Sequence, residues 1–287
     1  MKRTGPELIS LHGGHSGEFC CHASGTLEET ILAYLEGGFT AVGITEHIPP
    51  ENDRRLYPDE IAAGLDAAGL YRRFAGFVTA ARRLQEKYAA RIAIYLGFET
   101  ETWTGYGPAV RALVKTFRPD YLVGSVHHVG GISFDYSPED YRAAAAKAGG
   151  AEALYCRYYD LQLEMIERLR PGLVGHLDLV RIHDPEWPDR LKLPPVAARI
   201  RRNLKRMEEL SLILDCNCRL LPAGGETYPA REILLWAREL GVAAVPGDDS
   251  HSPAEAGKGI GEGIELLADL GFSTDWPLPT MLRKWRA

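Results

Sequence analysis

The feature that most limits the possible folds of this chain is its histidine-rich N-terminal stretch, residues 8–26, LISLHGGHSGEFCCHASGT. The apolar start predicts a short buried strand, and Thr26 with Glu29 forms a capping box that predicts a helix start. Three histidines lie between them within eleven residues: His12, His15 and His22. Neutral imidazole binds zinc, iron and manganese, so the stretch predicts metal ligands where a strand ends.

Apolar runs alternate with amphipathic helical segments about seven times along the chain, without a composition shift or low-complexity linker. The runs are residues 8–11, 41–47, 91–101, 121–131, 172–180, 212–219 and 242–251. Continuous apolar runs are typical of parallel strands that are covered on both faces. The simplest architecture is therefore one closed or nearly closed β/α barrel domain over residues 1–287, with a helical insert at about residues 49–88 after the second strand.

Composition narrows the classes of function. The net charge of −6 and a pI near 5.9 disfavour a nucleic-acid partner held by general phosphate attraction. No apolar run reaches the length of a membrane span, and the N-terminus has no signal-peptide core. Five cysteines without a disulfide framework indicate a reducing cytoplasm. The oligomeric state is left open.

Polar residues concentrate where the predicted strands end, which is the active-site face of a β/α barrel. Beyond the first three histidines, this set comprises His47, Glu99, His127, His176, Asp249 and His251. Burying so many polar groups without a shared cation costs roughly 1–3 kcal/mol for each unsatisfied one. Nine side chains exceed the ligand positions of one transition metal, so the pattern predicts two or three metals with a bridging carboxylate.

The spacing of neighbouring candidate residues predicts which of them binds metal. His127 and His128 are adjacent, so on an extended strand they face opposite sides; we expect His127 to be the ligand and His128 to meet the substrate. Glu99 is nearer the strand than Glu101, which we expect to support the ligands from outside. The two residues between His12 and His15 require a turn at the intervening glycines before both can reach one site.

Six motifs occur in a fixed order across nearly the whole chain: HGGHSGEFCCHASGTLEE, GITEH, LGFETE, GSVHH, GHLDLV and GDDSHSP. With this set the chain resembles the PHP family of metal-dependent phosphoesterases, and within it the histidinol-phosphate phosphatases. The resemblance implies an α/β fold, a distorted seven-stranded (β/α)7 TIM-like barrel. It also implies a centre of two or three divalent transition metal ions, Zn, Fe or Mn.

The resemblance further implies how the ligands are shared among the metals. The first metal is held by His12, His15, Glu99 and Asp249. Glu99 bridges to the second, which is also held by His127 and His176. The third is held by His22, His47 and His251. The sequence departs from the family pattern at three points. The first motif usually reads HxH, the gap from His15 to His22 is one residue longer than in the family, and Glu46 stands where the family has aspartate.

The predicted activity is hydrolysis of a small phosphate monoester, with L-histidinol phosphate, a histidine-biosynthesis intermediate, as the leading substrate. The candidates for binding the phosphate are Arg157 and Arg219. The candidates for positioning water or protonating the leaving group are Glu46, His128 and Asp248, among which the sequence does not choose. Acidic and aromatic residues that could meet the amine or imidazole of the substrate are Glu226, Tyr228 and Asp135.

Other functions stay open. A PHP phosphoesterase acting on another phosphate ester or a nucleotide would need the same ligands. A metallo-amidohydrolase would favour a carbamylated lysine bridge, and no lysine lies at a predicted strand end. A nuclease or polymerase module would be expected to carry a basic patch. A non-catalytic binding protein would be expected to have lost ligands, whereas this set is nearly complete.

Overall fold

The computed structural model describes residues 6–279. The strands of this part are β1 (Ile9–Ser10), β2 (Ala41–His47), β3 (Ala93–Glu99), β4 (Tyr121–Gly124), β5 (His128–Val129), β6 (Ile132–Ser133), β7 (Leu173–Val174), β8 (Ile213–Asn217) and β9 (Ala244–Gly247). Its helices are α1 (Leu27–Glu36), α2 (Pro58–Ala62), α3 (Ala67–Tyr88), α4 (Tyr106–Phe117), α5 (Pro138–Ala148), α6 (Ala151–Leu169), α7 (Trp187–Arg190), α8 (Pro194–Glu209), α9 (Arg231–Glu239) and α10 (Ile260–Asp269). Short 3₁₀ turns occur at Asp53–Arg55, Leu179–Arg181 and Leu221–Ala223.

Seven strands form one parallel sheet in the order β1-β2-β3-β4-β7-β8-β9. The edges of this sheet meet, because the Leu11 amide donates to the Pro246 carbonyl (3.1 Å) and the Asp248 amide donates to the His12 carbonyl (3.0 Å). The expected seven-stranded β/α barrel is therefore confirmed. Its closure brings the first and last ligand-bearing segments side by side.

The interior of the barrel is filled below the site. Tyr121 lies across it and donates its hydroxyl proton to the Leu11 carbonyl. The surrounding apolar side chains are those of Ile9, Leu11, Ala41, Val123, Leu173, Ile213 and Val245. A Cβ at Gly43 would lie 1.9 Å from the Tyr121 hydroxyl oxygen, so glycine is required for the ring to fit. This layer leaves only the C-terminal ends of the strands free for polar groups.

The helices cover the outside of the barrel. Among the helices within residues 6–279, none is long and apolar enough to cross a membrane. The predicted capping box is present at α1: the Thr26 hydroxyl accepts from the Glu29 amide (3.1 Å) and Glu29 accepts from the Thr26 amide (2.7 Å). The insert at 49–88 contains α2 and α3, and α3 buries Phe74 and Phe77 against the barrel.

Six of the seven predicted strands are shorter than their apolar runs, and two of these runs continue into other structure. The run at 121–131 leaves the barrel after Gly124 and forms the antiparallel β5–β6 hairpin, whose turn uses positive φ at Gly130 and Gly131. The run at 172–180 ends its strand at Val174. There the buried carboxylate of Asp178 accepts from Arg181 Nε (2.9 Å) and stabilises a turn instead of a strand.

Candidate metal centre

Glu99, the last residue of β3, lies at the middle of the site and is 1% exposed. Its register partner on β2 is His47, so two ligand candidates start from adjacent strand ends. Five imidazole nitrogens surround its carboxylate: near Oε2 lie Nε2 of His12 (3.2 Å), His15 (3.6 Å) and His47 (3.5 Å), and near Oε1 lie Nε2 of His127 (3.1 Å) and His176 (2.9 Å). This arrangement is that of a bridging carboxylate, with different neighbours at each oxygen.

The ligand atoms form groups small enough for single cations, with all atoms of a group within 4.8 Å of one another. Three of these groups are His12, His15, Glu99 and Asp249; Glu99, His127 and His176; and His15, His22 and His47. The first two coincide with the ligand sets expected for the first and second metals. The third contains His15 where His251 was expected. The His251 ring stacks on that of His15, with centroids 4.7 Å apart, so His251 borders this group.

The glycines between His12 and His15 allow both imidazoles to reach Asp249 despite the unusual spacing. Nε2 of His12 lies 3.8 Å and Nε2 of His15 lies 3.3 Å from Asp249 Oδ1. A Cβ at Gly13 would lie 2.2 Å from the Gly43 carbonyl oxygen, and one at Gly14 would lie 2.5 Å from a side-chain carbon of the helix that follows. The turn is possible because neither residue has a side chain.

Oxygen acceptors outside the centre orient several imidazoles. Nδ1 of His12 donates to Asp215 (2.8 Å), and Nδ1 of His251 donates to the Asp249 carbonyl (2.8 Å). Nδ1 of His127 similarly lies 2.7 Å from Asp135. A neutral imidazole that donates from Nδ1 presents its lone pair at Nε2, and such outer partners orient and strengthen metal ligands.

Glu46 and Glu101 lie close to further imidazoles on the β2 and β3 side, Glu46 near His15 and Glu101 near His47 and His128. Glu46 accepts from the Ser16 amide (2.9 Å) and lies 3.3 Å from Nδ1 of His15. Glu101 is buried, with one oxygen 2.7 Å from Nδ1 of His47 and the other 3.2 Å from Nδ1 of His128. The two neighbouring histidines thus have different partners, since His127 faces Glu99 and His128 faces Glu101.

These residues fit a cluster of divalent metals. Where Nδ1 has an outer acceptor, as in His12 and His127, the Nε2 lone pair faces a carboxylate oxygen, and Nε2 of His15 is buried without a hydrogen-bond partner. Burial opposes the charged form of Glu99, yet the surrounding imidazoles hold its pKa well below the ordinary value. Burial likewise opposes charge on His12, yet Glu99, Asp249 and Asp215 hold its pKa well above the ordinary value. The centre therefore favours positive charge, which divalent cations supply without protonating the ligands.

The backbone at the end of β9 is shaped for the site. Asp249 has φ +44°, in the left-handed region, and its amide donates to the His12 carbonyl (2.8 Å). Such a conformation is costly for a residue other than glycine and is common at functional sites. A Cβ at Gly247 would lie 2.2 Å from Asp215 Oδ1 and 2.8 Å from His12 Cβ, so this strand end accepts only glycine.

A cavity of about 390 Å³ opens over the centre. Three of the candidates for chemistry line it: Glu46, His128 and Arg219. The Arg219 side chain is 50% exposed and has Nη1 3.6 Å from Asp249 Oδ2, so it can turn toward an anion in the cavity. Among the described residues that line this cavity there is no lysine, and a carbamylated lysine bridge therefore has no candidate there.

Two predicted site residues lie elsewhere, and both expectations are corrected. The carboxylate of Asp248 accepts from the Ser10 hydroxyl, the Tyr34 hydroxyl (2.8 Å) and the Gly257 amide (2.6 Å), and it does not line the cavity. Its role is to join β1, α1 and the segment after β9. Arg157 lies exposed on α6 and does not line the cavity either.

The residues expected to meet the amine or imidazole are also placed differently. Asp135 lines the cavity, but its carboxylate bonds to His127 and to the Ser133 hydroxyl (2.9 Å), so it orients a ligand. Glu226 and Tyr228 lie outside the cavity lining, and the Tyr228 ring packs on the Arg181 guanidinium at 4.0 Å.

Sequence reasoning missed Asp215, which lies within β8 and not at its end. Its carboxylate is fully buried and accepts from both the His12 side chain and the His176 amide (3.3 Å). A charged residue inside an otherwise apolar strand is the signal that could have identified it, because burying a charge requires a partner.

Comparison with known proteins places the chain among described families. The model of the PHP domain matches residues 11–219. A probable histidinol-phosphatase of Schizosaccharomyces pombe is 35% identical over 254 residues, covering 87% of this chain and 82% of that protein. The histidinol-phosphatase of Saccharomyces cerevisiae is 24% identical, over 86% of this chain and 84% of its own length.

Two solved structures share the fold. A candidate histidinol phosphatase of Listeria monocytogenes superposes with a TM-score of 0.77 and 26% identity, over 88% of this chain and 99% of its own. The histidinol phosphate phosphatase of Lactococcus lactis, whose structure holds zinc, L-histidinol and phosphate, has a TM-score of 0.67 and 18% identity, over 93% and 95% of the two chains.

Proposed function

The chain belongs to the PHP family, and from this premise we propose that it hydrolyses L-histidinol phosphate to L-histidinol and phosphate, a step of histidine biosynthesis. The observation that carries the proposal is the Glu99-centred cluster of histidines and carboxylates at the floor of a cavity large enough for a small ester. Relatives named histidinol-phosphatase that cover most of the chain support the choice of substrate. The proposal includes a cytoplasmic location, since the five cysteines are free.

The side chains around Glu99 would hold two or three divalent metals. We assign His12, His15, Glu99 and Asp249 to the first, Glu99, His127 and His176 to the second, and His22, His47 and His251 to the third, with His15 at the border of the first and third. Zinc is the first metal to test, because the Lactococcus lactis protein of the same fold holds it. Bound divalent metals lower the pKa of bound water and neutralise charge on phosphoryl oxygens.

Arg219 and the outer carboxylates have separate tasks. The half-exposed guanidinium of Arg219 would bind phosphate oxygens, for which its planar fork is suited. Glu46 acts on His15: by accepting a hydrogen bond from Nδ1, it directs Nε2 toward the centre. Pro49 and Pro50 also line the cavity.

His128 is the residue that we propose protonates the leaving oxygen. It lines the cavity, its side chain is partly exposed, and Glu101 lies 3.2 Å from its Nδ1. The nearby Glu101 carboxylate favours the protonated ring, and Nε2 would hold the proton for the alkoxide of the departing alcohol.

The first experiment measures phosphate release from L-histidinol phosphate by the purified protein, with metal content determined on the same sample. Glycerol phosphate, a nucleoside monophosphate and an aryl phosphate serve as comparison substrates. Selective release from L-histidinol phosphate with two or three metals per chain is expected. Full metal content with activity only on other esters would refute the substrate, and neither metal nor activity after reloading with zinc or manganese would refute the phosphoesterase.

The role of His128 is tested with leaving groups of different quality. His128→Gln should lower kcat about 10²- to 10⁴-fold on L-histidinol phosphate, and far less on an aryl phosphate whose leaving oxygen needs no proton. His183→Gln is the matched control, because His183 lies outside the cavity lining and its Nε2 bonds to a backbone carbonyl (3.3 Å). Equal losses on both substrates would show that His128 does not donate this proton.

A further inference from the structure

Helix α2 presents two adjacent carboxylates to the cavity, Asp59 and Glu60. One oxygen of Asp59 is buried and accepts no hydrogen bond. Glu60 uses one oxygen to accept the Tyr57 amide (2.8 Å), which caps the helix and leaves the other oxygen available. Neither carboxylate belongs to the ligand groups around Glu99.

These carboxylates have no close ion-pair partner in the described part of the chain. Within residues 6–279, no lysine, arginine or histidine nitrogen lies within 4.0 Å of either one. Arg55 also lines the cavity but donates to the Thr104 carbonyl (2.7 Å), and Arg73 of α3 contacts the sulfur of Cys21 (3.6 Å). Burial raises the pKa of Glu60, and the charges of Asp59 and Glu101 add to this effect, while the Tyr57 amide and His47 oppose it. A ligand that donates hydrogen bonds to these carboxylates, or that carries positive charge, would offset the cost of burying them.

A second unsatisfied group lies in the same cavity. Trp103 is 3% exposed, it lines the cavity, and its indole nitrogen is buried without a hydrogen-bond partner. Tyr57 and Tyr136 line the cavity too, with their rings stacked at 5.7 Å. The wall around α2 therefore combines two carboxylate acceptors, aromatic faces and an indole donor. This combination suits a flat ring that both donates and accepts hydrogen bonds.

The order of the strands around the barrel indicates where the residues of α2 lie relative to the phosphate site. α2 follows β2 and Arg219 follows β8, and three strands separate them in one direction around the barrel and two in the other. The two groups therefore lie on opposite sides of the cavity mouth. In L-histidinol phosphate the amine is on the carbon next to the one that carries the ester, whereas the imidazole is at the far end. A phosphate held near Arg219 and the metal centre directs the imidazole toward α2.

We propose that Asp59 and Glu60 bind the imidazole ring of the substrate and make the enzyme selective for imidazole-bearing phosphate monoesters. The proposal rests on the proposed function and extends it to specificity. Two carboxylates match the two N–H groups of a protonated ring, and one is enough for a neutral ring, whose other nitrogen can accept from an indole donor. The cavity aromatics stabilise either form through their faces.

The test compares L-histidinol phosphate with L-phenylalaninol phosphate, which keeps the amine and an aromatic ring but has no ring nitrogen. The proteins are the full chain and its variants Asp59→Asn, Glu60→Gln and the double variant. Glu60→Gln retains an oxygen for the Tyr57 amide, so the helix cap survives. The control is Glu51→Gln, an exposed carboxylate of the same insert that does not line the cavity.

The double variant should lower kcat/KM for L-histidinol phosphate roughly ten- to a hundredfold, mainly through KM, and leave that for L-phenylalaninol phosphate within about twofold. The Glu51→Gln control should resemble the wild type. Equal losses on both substrates, or no loss on either, would overturn the proposal. A deaminated analogue, imidazolylpropanol phosphate, adds a check: if the variants hydrolyse it as well as the wild type does, the carboxylates bind the amine and the imidazole assignment is wrong.

Calorimetry separates failure of this inference from failure of the proposed function. L-Histidinol should bind the metal-loaded wild type more tightly than L-phenylalaninol does, and the double variant should lose this difference. If the wild type does not hydrolyse L-histidinol phosphate but shows this binding pattern, the proposed reaction fails and the ring subsite stands. If L-histidinol binds wild type and double variant equally, the subsite fails whatever the activity.

Discussion

Replacing Asp215 by asparagine tests whether a carboxylate outside the centre controls metal affinity. Asp215 is fully buried and accepts from Nδ1 of His12 at 2.8 Å, while Nε2 of His12 faces Glu99 at 3.2 Å. Asparagine retains the shape and one acceptor, but it replaces a charge-assisted hydrogen bond by a neutral one. Removing such an outer partner typically costs about 10- to 100-fold in metal affinity, which is about 1.4–2.8 kcal/mol.

The assay is a titration of metal-free protein with zinc buffered by a competing chelator, followed by activity and by metal content. The site that contains His12 should weaken most, because Asp215 bonds to the side chain of His12 but only to the backbone amide of His176, so one metal per chain should be lost first. Activity should return at saturating zinc, because Asp215 does not line the cavity. A half-saturating zinc concentration within about twofold of the wild-type value would refute the reasoning, since the expected loss is at least about tenfold.

Asp120→Asn is the matched control. Asp120 precedes β4 at the other end of the barrel, where it accepts from the Leu96 amide (2.8 Å), Arg82 (2.8 Å) and Gln85 (2.8 Å). Its substitution should lower the free energy of unfolding by about 1–3 kcal/mol, because charged hydrogen bonds are weakened, without changing zinc affinity. A change in zinc affinity in this variant would mean that general destabilisation produces the effect.

Three further predictions concern packing, metal removal and the support of one ligand. Gly43→Ala should lower the free energy of unfolding by about 3 kcal/mol or more in urea denaturation, because its Cβ would lie 1.9 Å from the Tyr121 hydroxyl oxygen and 2.9 Å from the Leu11 carbonyl oxygen. By contrast, Gly261→Ala on α10, whose Cβ would have nothing within 4 Å, should raise it by about 0.5–1 kcal/mol. Removal of metal by a chelator should abolish phosphate release and lower the thermal midpoint, and added zinc or manganese should restore both, since metals bind the folded state; an unchanged midpoint would count against a structural contribution of the metals. Glu46→Gln should reduce kcat/KM about equally for alkyl and aryl phosphates, because Glu46 orients His15 and does not touch the leaving group; a loss confined to alkyl esters would instead make it the proton donor.

Much of the architecture followed from local patterns. The second strand was predicted at residues 41–47, as observed, because a buried parallel strand is a continuous apolar run bounded by a helix stop and a proline pair. The α1 start was readable from Thr26 and Glu29, since a capping box is a contact within one turn. Strand-end histidines indicated the metal centre because parallel strands of one barrel end on the same face.

Tertiary structure decided which polar residues serve the site. Asp248 and Asp249 are neighbours in sequence, yet one joins β1, α1 and the segment after β9, and the other faces His12 and His15, because the left-handed backbone at Asp249 turns the chain between them. The sequence offered Arg157 and Arg219 equally for binding phosphate, but of these two only Arg219 lines the cavity.

By itself, the sequence determined the β/α barrel, the face that carries the chemistry and the residue types that hold metals, because periodicity and strand-end position are local properties. Only the folded chain decided that Asp215 supports His12 and that Asp59 and Glu60 face the cavity. These relations join residues from distant elements. They depend on the barrel closure that brings the end of β1 near β8 and on the placement of α2 at the cavity, and no spacing along the chain encodes such contacts.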